Sequence, residues 1–236
     1  KSLIHFLTTS NPSGAYVKRV VDVFDPFEEN NFQKVIKAIL LDPEARNCQR
    51  TATYTFGKLR EPLVRYMNYL RAFPFRSTSG EFLYEFGDVI GNIGQAPLSA
   101  PSVFNFFLPD YSPQGPINQQ YQVAPEFQIL NSTNSIGLLN LTNGLAVERA
   151  YLLSYVIEED EEDGSALSYQ MDFSEVEEIA SNASALINYL DILLANGLLT
   201  AETKGIIKNA VEQLSSPADR VKMATYLIMI SPDYAI

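Results

Sequence analysis

Residues 174–231, SEVEEIASNASALINYLDILLANGLLTAETKGIIKNAVEQLSSPADRVKMATYLIMIS, decide the fold. Ser174 followed three positions later by Glu177 has the pattern of a capping box, in which each side chain satisfies a free backbone N–H at a helix start. Val176, Ile179, Ala180, Ala183, Ile187, Leu190 and Leu194 then recur at helical spacing, and Asn196-Gly197 supplies a residue pair that tolerates the left-handed end of a helix. Thr200 opens a second run carrying Ile206, Ile207, Ala210, Val211 and Leu214. Ser216-Pro217 opens a third, a cap residue followed by proline in the first turn, and it runs through Val221, Ala224, Leu227 and Ile228 to Ser231-Pro232. Short connections between three amphipathic runs predict a compact three-helix array.

The same signals recur toward the N-terminus, broken by proline, which disfavours helix in the residue before it. Leu3, Ile4 and Leu7 mark a first amphipathic segment. Ser13 caps a run with Tyr16, Val17, Val20, Val21 and Phe24, closed by Asp25-Pro26. Asn30 or Asn31 opens the next, with Phe32, Val35, Ile36, Ile39 and Leu40, closed by Asp42-Pro43. Pro62 starts another with Leu63, Tyr66, Met67, Leu70 and Phe73 on one face. Between Pro74 and Pro116 lie six of the 13 prolines and five of the 12 glycines. That density excludes long regular structure, while Phe104, Phe106, Phe107 and Tyr111 argue for a loop packed by its aromatic side chains. Pro125 opens a helical run through Phe127 and Leu130. The reading is a mainly α fold, an irregular helical array with one long Pro/Gly/aromatic loop at about 74–123. Its organisation is a helical part at 1–157, an acidic linker or exposed loop at 158–170, and C-terminal helices at 171–236 packed on the first part as one domain.

Composition narrows the function by exclusion. The 236 residues carry 17 basic and 28 acidic side chains, a net charge of −11, so the summed field repels nucleic acid and anionic lipid surfaces. No apolar run approaches the roughly 18–20 residues that cross a bilayer. Lys58, Arg60, Arg65, Arg71 and Arg76 form a basic series that reads as a solvated helix face. One histidine, His5, and one cysteine, Cys48, exclude multi-histidine metal sites and internal disulfides, and both residues read as structural. No nucleophile elbow, phosphate loop or dinucleotide fingerprint is present. Glu159, Glu161, Asp163 and Gly164 imitate part of a calcium loop, but Gln170 stands where the bidentate glutamate belongs, so the acidic run reads as solvated charge. Glu61 and Glu126, next to prolines at helix starts, read as caps that complement the helix dipole. No cofactor or metal is called for.

Three strings carry a resemblance: FGKLREPL (56–63), GQAPLSAPSVFNFFLPDY (94–111) and APEFQIL (124–130). With TSNPS (9–13), LDPEAR (41–46) and SPDY (231–234), they resemble the C-terminal half of the bacterial domain-of-unknown-function 1800 family. The resemblance implies a large exported bacterial protein, periplasmic or extracellular, with an N-terminal portion preceding Lys1 that this stretch contacts, and it implies an exported protein partner. It supplies no activity. The expected function is therefore a structural or binding module. The alternative is part of an exported hydrolase whose active site is shared with the N-terminal portion. Candidate binding residues are Lys58, Arg60, Glu61, Gln95, Asn105, Asp110, Tyr111 and Glu126; a role in holding the loop to the helices is weighed beside each, because buried polar groups most often serve internal satisfaction.

Overall fold

The computed structural model describes residues 1–46, 57–77, 93–146 and 169–236. The acidic run 158–163, Cys48 and the glycines at 80, 87 and 91 lie outside the described residues. The fold is mainly α, in two compact units: residues 1–59 with 100–129, and residues 60–99 with 130–236.

The first unit is built from α1 (Ser2–Leu7), α2 (Gly14–Val21), α3 (Asn31–Leu41), α4 (Pro43–Arg46) and the short α6 (Pro116–Gln119). The Ser13 cap forms: its hydroxyl accepts from Tyr16 N at 3.0 Å. Ile4, Tyr16, Val20, Val35 and Ile39 make the core. Tyr16 stays in this apolar setting because its hydroxyl donates to the Ile39 carbonyl at 2.6 Å, and burial raises its pKa. In α1 the expected stripe is displaced. Leu3 and Leu7 are exposed, whereas Ile4 and His5 are buried.

In the second unit α5 (Pro62–Ala72) and α7 (Ser132–Ala146) accompany α8 (Ser174–Ile179), α9 (Ala183–Ala195), α10 (Ala201–Glu212), α11 (Pro217–Ile230) and α12 (Pro232–Ala235). α11 is the centre, packing on α7, α8, α9, α10 and α12. Its Val221, Ala224, Ile228 and Met229 meet Leu186, Leu190 and Leu194 of α9 and Ile207 and Val211 of α10. Each fully buried leucine or isoleucine of this kind contributes about 1.5–3 kcal/mol. A two-stranded antiparallel pair, β1 (Phe75–Ser77) with β2 (Tyr169–Met171), stands outside the helical reading.

Three expectations need correction. The run expected from Ser174 to Leu194 is two helices: the Asn182 side chain accepts from Ala185 N at 3.1 Å and starts α9 anew. α8 begins at Ser174 itself, whose N–H is taken by Asp172 Oδ1 at 3.0 Å, so a Ser174 cap is replaced by an aspartate two residues earlier. Pro125 opens only a 3₁₀ turn over Pro125–Gln128, and α7 starts separately after Asn131, whose side chain accepts from Asn134 N at 2.9 Å. In each case a short polar side chain captures a backbone donor more closely than continued helix would.

The α9–α10 corner shows how tightly this unit is specified. Asn196 (φ 56°) and Gly197 (φ 75°) take the left-handed conformation, and Gly197 N returns to the Asp191 carbonyl at 3.0 Å. The buried Asp191 side chain accepts from Leu199 N at 3.0 Å and pairs with Lys204 at 2.6 Å. Across from it, Asp233 Oδ2 takes Thr200 N and Thr200 Oγ1, each at 2.9 Å, and Thr203 Oγ1 at 2.6 Å. Asp233→Ala removes the acceptor that closes the start of α10 and lowers stability by about 1–2 kcal/mol, read as a lower urea midpoint with an unchanged m-value.

Candidate functional site

The candidate residues fall into two groups, one in each unit. In the first unit, Glu126 sits on the 3₁₀ turn, fully buried, and Lys58 Nζ lies 3.2 Å from its Oε1. Lys58 also donates to the Phe6 carbonyl at 2.7 Å and sits 5.8 Å from the Phe6 ring centroid. Phe6 in turn stacks on Phe107 of the aromatic loop, with centroids 5.6 Å apart. Taking two charges out of water is costly unless they pair, so this contact fixes where the loop, α1 and the 57–59 segment meet. Glu126 is thus an ion-pair partner rather than a simple dipole cap.

Parts of the strings quoted above meet in this unit, while SPDY lies in the second. Thr9 Oγ1 and Ser10 N both donate to the Gly57 carbonyl at 3.1 Å. Asn11 mimics a backbone strand toward Val123, donating to its carbonyl and accepting from its N–H, each at 2.9 Å. His5, 6% exposed, donates from Nδ1 to the Pro109 carbonyl at 2.9 Å. That bond fixes the neutral tautomer with its proton on Nδ1, and Nε2 is buried with no partner among the described residues. From the other side, Asp42 takes the Arg19 guanidinium through both oxygens at 2.7 and 2.8 Å, and Glu44 takes Ser13 N at 2.9 Å. The Arg19 hydrogen bonds hold the Asp42 carboxyl below its ordinary pKa.

Three of the loop candidates do not join this cluster through their side chains. Asn105 holds a positive φ of 70° in a turn, its N–H on the Ser102 carbonyl at 3.1 Å. Asp110 is exposed. Tyr111 is half-buried and contributes its carbonyl, which accepts from Ala124 N at 2.9 Å.

In the second unit, Gln95 is buried and serves the start of α5. Its Oε1 accepts from Leu63 N at 3.1 Å and its Nε2 donates to Glu61 Oε2. Gln95 therefore caps α5 from a distance, and Glu61 orients Gln95 instead of capping directly. Arg60 donates its backbone N–H to the Ala235 carbonyl at 2.7 Å and reaches the Leu194 carbonyl, at the end of α9, at 3.5 Å. Its guanidinium lies 5.4 Å from the Tyr234 ring centroid.

Arg65 departs from the solvated face that the spacing of the basic series implies, whereas Arg71 is exposed. Arg65 is 9% exposed, donates from Nη2 to the Met229 carbonyl at the end of α11 at 3.0 Å, and lies 5.7 Å from the same Tyr234 ring. Tyr234 O–H returns to the Arg65 carbonyl at 2.7 Å. Burial pushes the Tyr234 phenol up to about 12 and lowers the Arg65 pKa. Sequence reasoning put Arg65 on a solvated face and held Tyr234 only as part of the closing SPDY string, without joining the two. Ser231 of that string caps α12 by accepting from Tyr234 N at 3.2 Å.

Chemically, these contacts hold charges still rather than present them. Among the described residues no group of three or more His, Cys, Asp or Glu side chains is placed to hold a metal ion. Among them, too, no helix is long and apolar enough to cross a membrane.

Both groups thus define a helical module in which sequence-distant polar strings are bound to one another. The chain belongs to the protein family of unknown function DUF1800, whose model matches residues 1–236. No curated protein and no solved structure matches it.

The buried, neutral His5 carries a pH signature. Desolvation, the largest influence, lowers its folded-state pKa below 6.5, so between those values the unfolded chain binds a proton that the folded chain refuses. Stability therefore falls as pH drops below about 6.5. Urea unfolding at pH 7.5 and 5.5 measures the loss, and His5→Asn reduces the difference between the two.

Proposed function

We propose that this chain is a structural module of a larger exported bacterial protein, one that folds a proline- and aromatic-rich loop into a fixed surface for other parts of that protein or for an exported partner. The observation that carries this reading is that the charged residues best suited to grip a ligand are spent inside the fold. Lys58 is held by Glu126 and the Phe6 carbonyl, Glu61 by Gln95, and the Arg60 guanidinium by the Leu194 carbonyl and the Tyr234 ring. Such groups contribute position, since a partner competing for them breaks buried contacts that cost more than surface ion pairs. Within the first unit the loop also leaves apolar side chains outward: Val103 and Phe104 are exposed, beside the exposed Asp110. Exposed apolar groups on a fixed loop are the material of a protein interface. The hydrolase alternative draws no support from these contacts.

Arg60→Ala separates the two roles. With structural duty, the purified variant melts about 2–6 °C lower with no partner present. An unchanged melting temperature joined to loss of a co-purifying exported protein from the host would overturn the structural assignment of Arg60.

A further inference from the structure

The connection from α2 to α3 holds a phenylalanine out in water. Phe27 is 97% exposed, yet its turn is pinned: the Phe27 N–H donates to Asp25 Oδ1 at 3.0 Å, the Asp25 N–H to Asn31 Oδ1 at 3.0 Å, and the Glu28 N–H to the Asp25 carbonyl at 3.1 Å. A ring kept in solvent by a fixed turn carries a cost that burial in a contact removes. Val23, Lys34, Lys37, Ala38, Leu41 and Asp42 line an open groove of about 330 Å³, which adjoins that turn through the Lys34–Glu28 ion pair. Lys34, Lys37, Ala38 and Leu41 follow one another at helical spacing, so a single face of α3 forms the groove wall. A benzene ring fills a cavity of roughly 150 Å³, so the groove has room for a phenylalanine side chain.

The charges around knob and groove are of both signs. Asp42 is neutralised by Arg19 and Lys34 by Glu28. Glu29, two residues past Phe27, and Lys37, in the groove wall, are exposed, and neither enters an ion pair among the described residues. One short helix pair thus carries an aromatic knob beside a free carboxylate and an apolar groove beside a free ammonium. Such a set is complementary to itself, as an isologous contact requires. Two chains of net charge −11 repel, so a self-contact needs a face on which opposite charges can meet. We propose that this face of the first unit binds a second copy of the chain. Phe27 of each copy enters the groove of the other, and Glu29 of each meets Lys37 of the other. This surface lies on α2, α3 and their connection, and its use does not depend on the reading of the long loop.

Sedimentation equilibrium of the whole chain, from about 1 to 500 μM, tests the contact. The expected result is a mass that rises with concentration from 26.4 kDa toward twice that value. Phe27→Asp raises the dissociation constant by about 30-fold or more, while the melting temperature at a concentration where the chain is monomeric stays unchanged, because the side chain stands in water. Lys37→Glu and Glu29→Lys each weaken self-association by about tenfold. An equimolar mixture of those two variants regains the affinity of the unsubstituted chain, since each supplies the charge that the other lacks. A mass that stays at 26.4 kDa throughout, the result if a different partner covers this face, overturns the proposal. So does a dimer indifferent to Phe27→Asp, and so does a mixture that associates no more tightly than its components.

Discussion

An arginine moved out of water has to find electron density elsewhere, and in the second unit that requirement organises four helices. Arg65 reaches the end of α11 and Arg60 the end of α9, so two helix termini that would otherwise carry free carbonyls are closed by charges from one short segment. Tyr234 makes both contacts compatible. Its ring offers each guanidinium a π surface, and its hydroxyl ties back to the Arg65 carbonyl. α12, only four residues long, could not persist as an isolated helix; Ser231 at its start and Tyr234 at its core hold it in place.

The first unit solves a different problem with the same means. Its long loop is poor in backbone ladders, so side chains replace them: Asn11 pairs with Val123 as a strand would, and Thr9 meets the Gly57 carbonyl. Lys58 and Glu126 add a charge contact on a floor formed by Phe6 and Phe107. Strings distant in sequence become neighbours because each contributes one half of a hydrogen-bonded or charged pair.

Much of the helical content was legible because caps and periodicity agree locally. Ser13, Thr200 and Ser216 cap as their positions imply, and the Asn196-Gly197 corner is left-handed. The break at Asn182 was hidden because an apolar stripe runs through it on both sides, and periodicity alone does not register a cap inside the stripe. The β1–β2 pair was invisible, since three-residue strands far apart in the chain leave no local pattern. The basic series misled because spacing reports which residues share a face and not which face is covered; Arg65 occupies the covered one. Of the candidate residues, Lys58 with Glu126 and Glu61 with Gln95 were named without being paired, because pairing is a property of the folded chain.

The Tyr234–Arg65 contact closes a span of 169 residues. Local helices form within about a microsecond, but a contact of such separation must wait for the intervening chain to be confined. Closing it therefore costs more chain entropy than forming any one of the helices it joins. Loss of the C-terminal residues would thus unfasten α5 as well as α12, because the Tyr234 hydroxyl joins them.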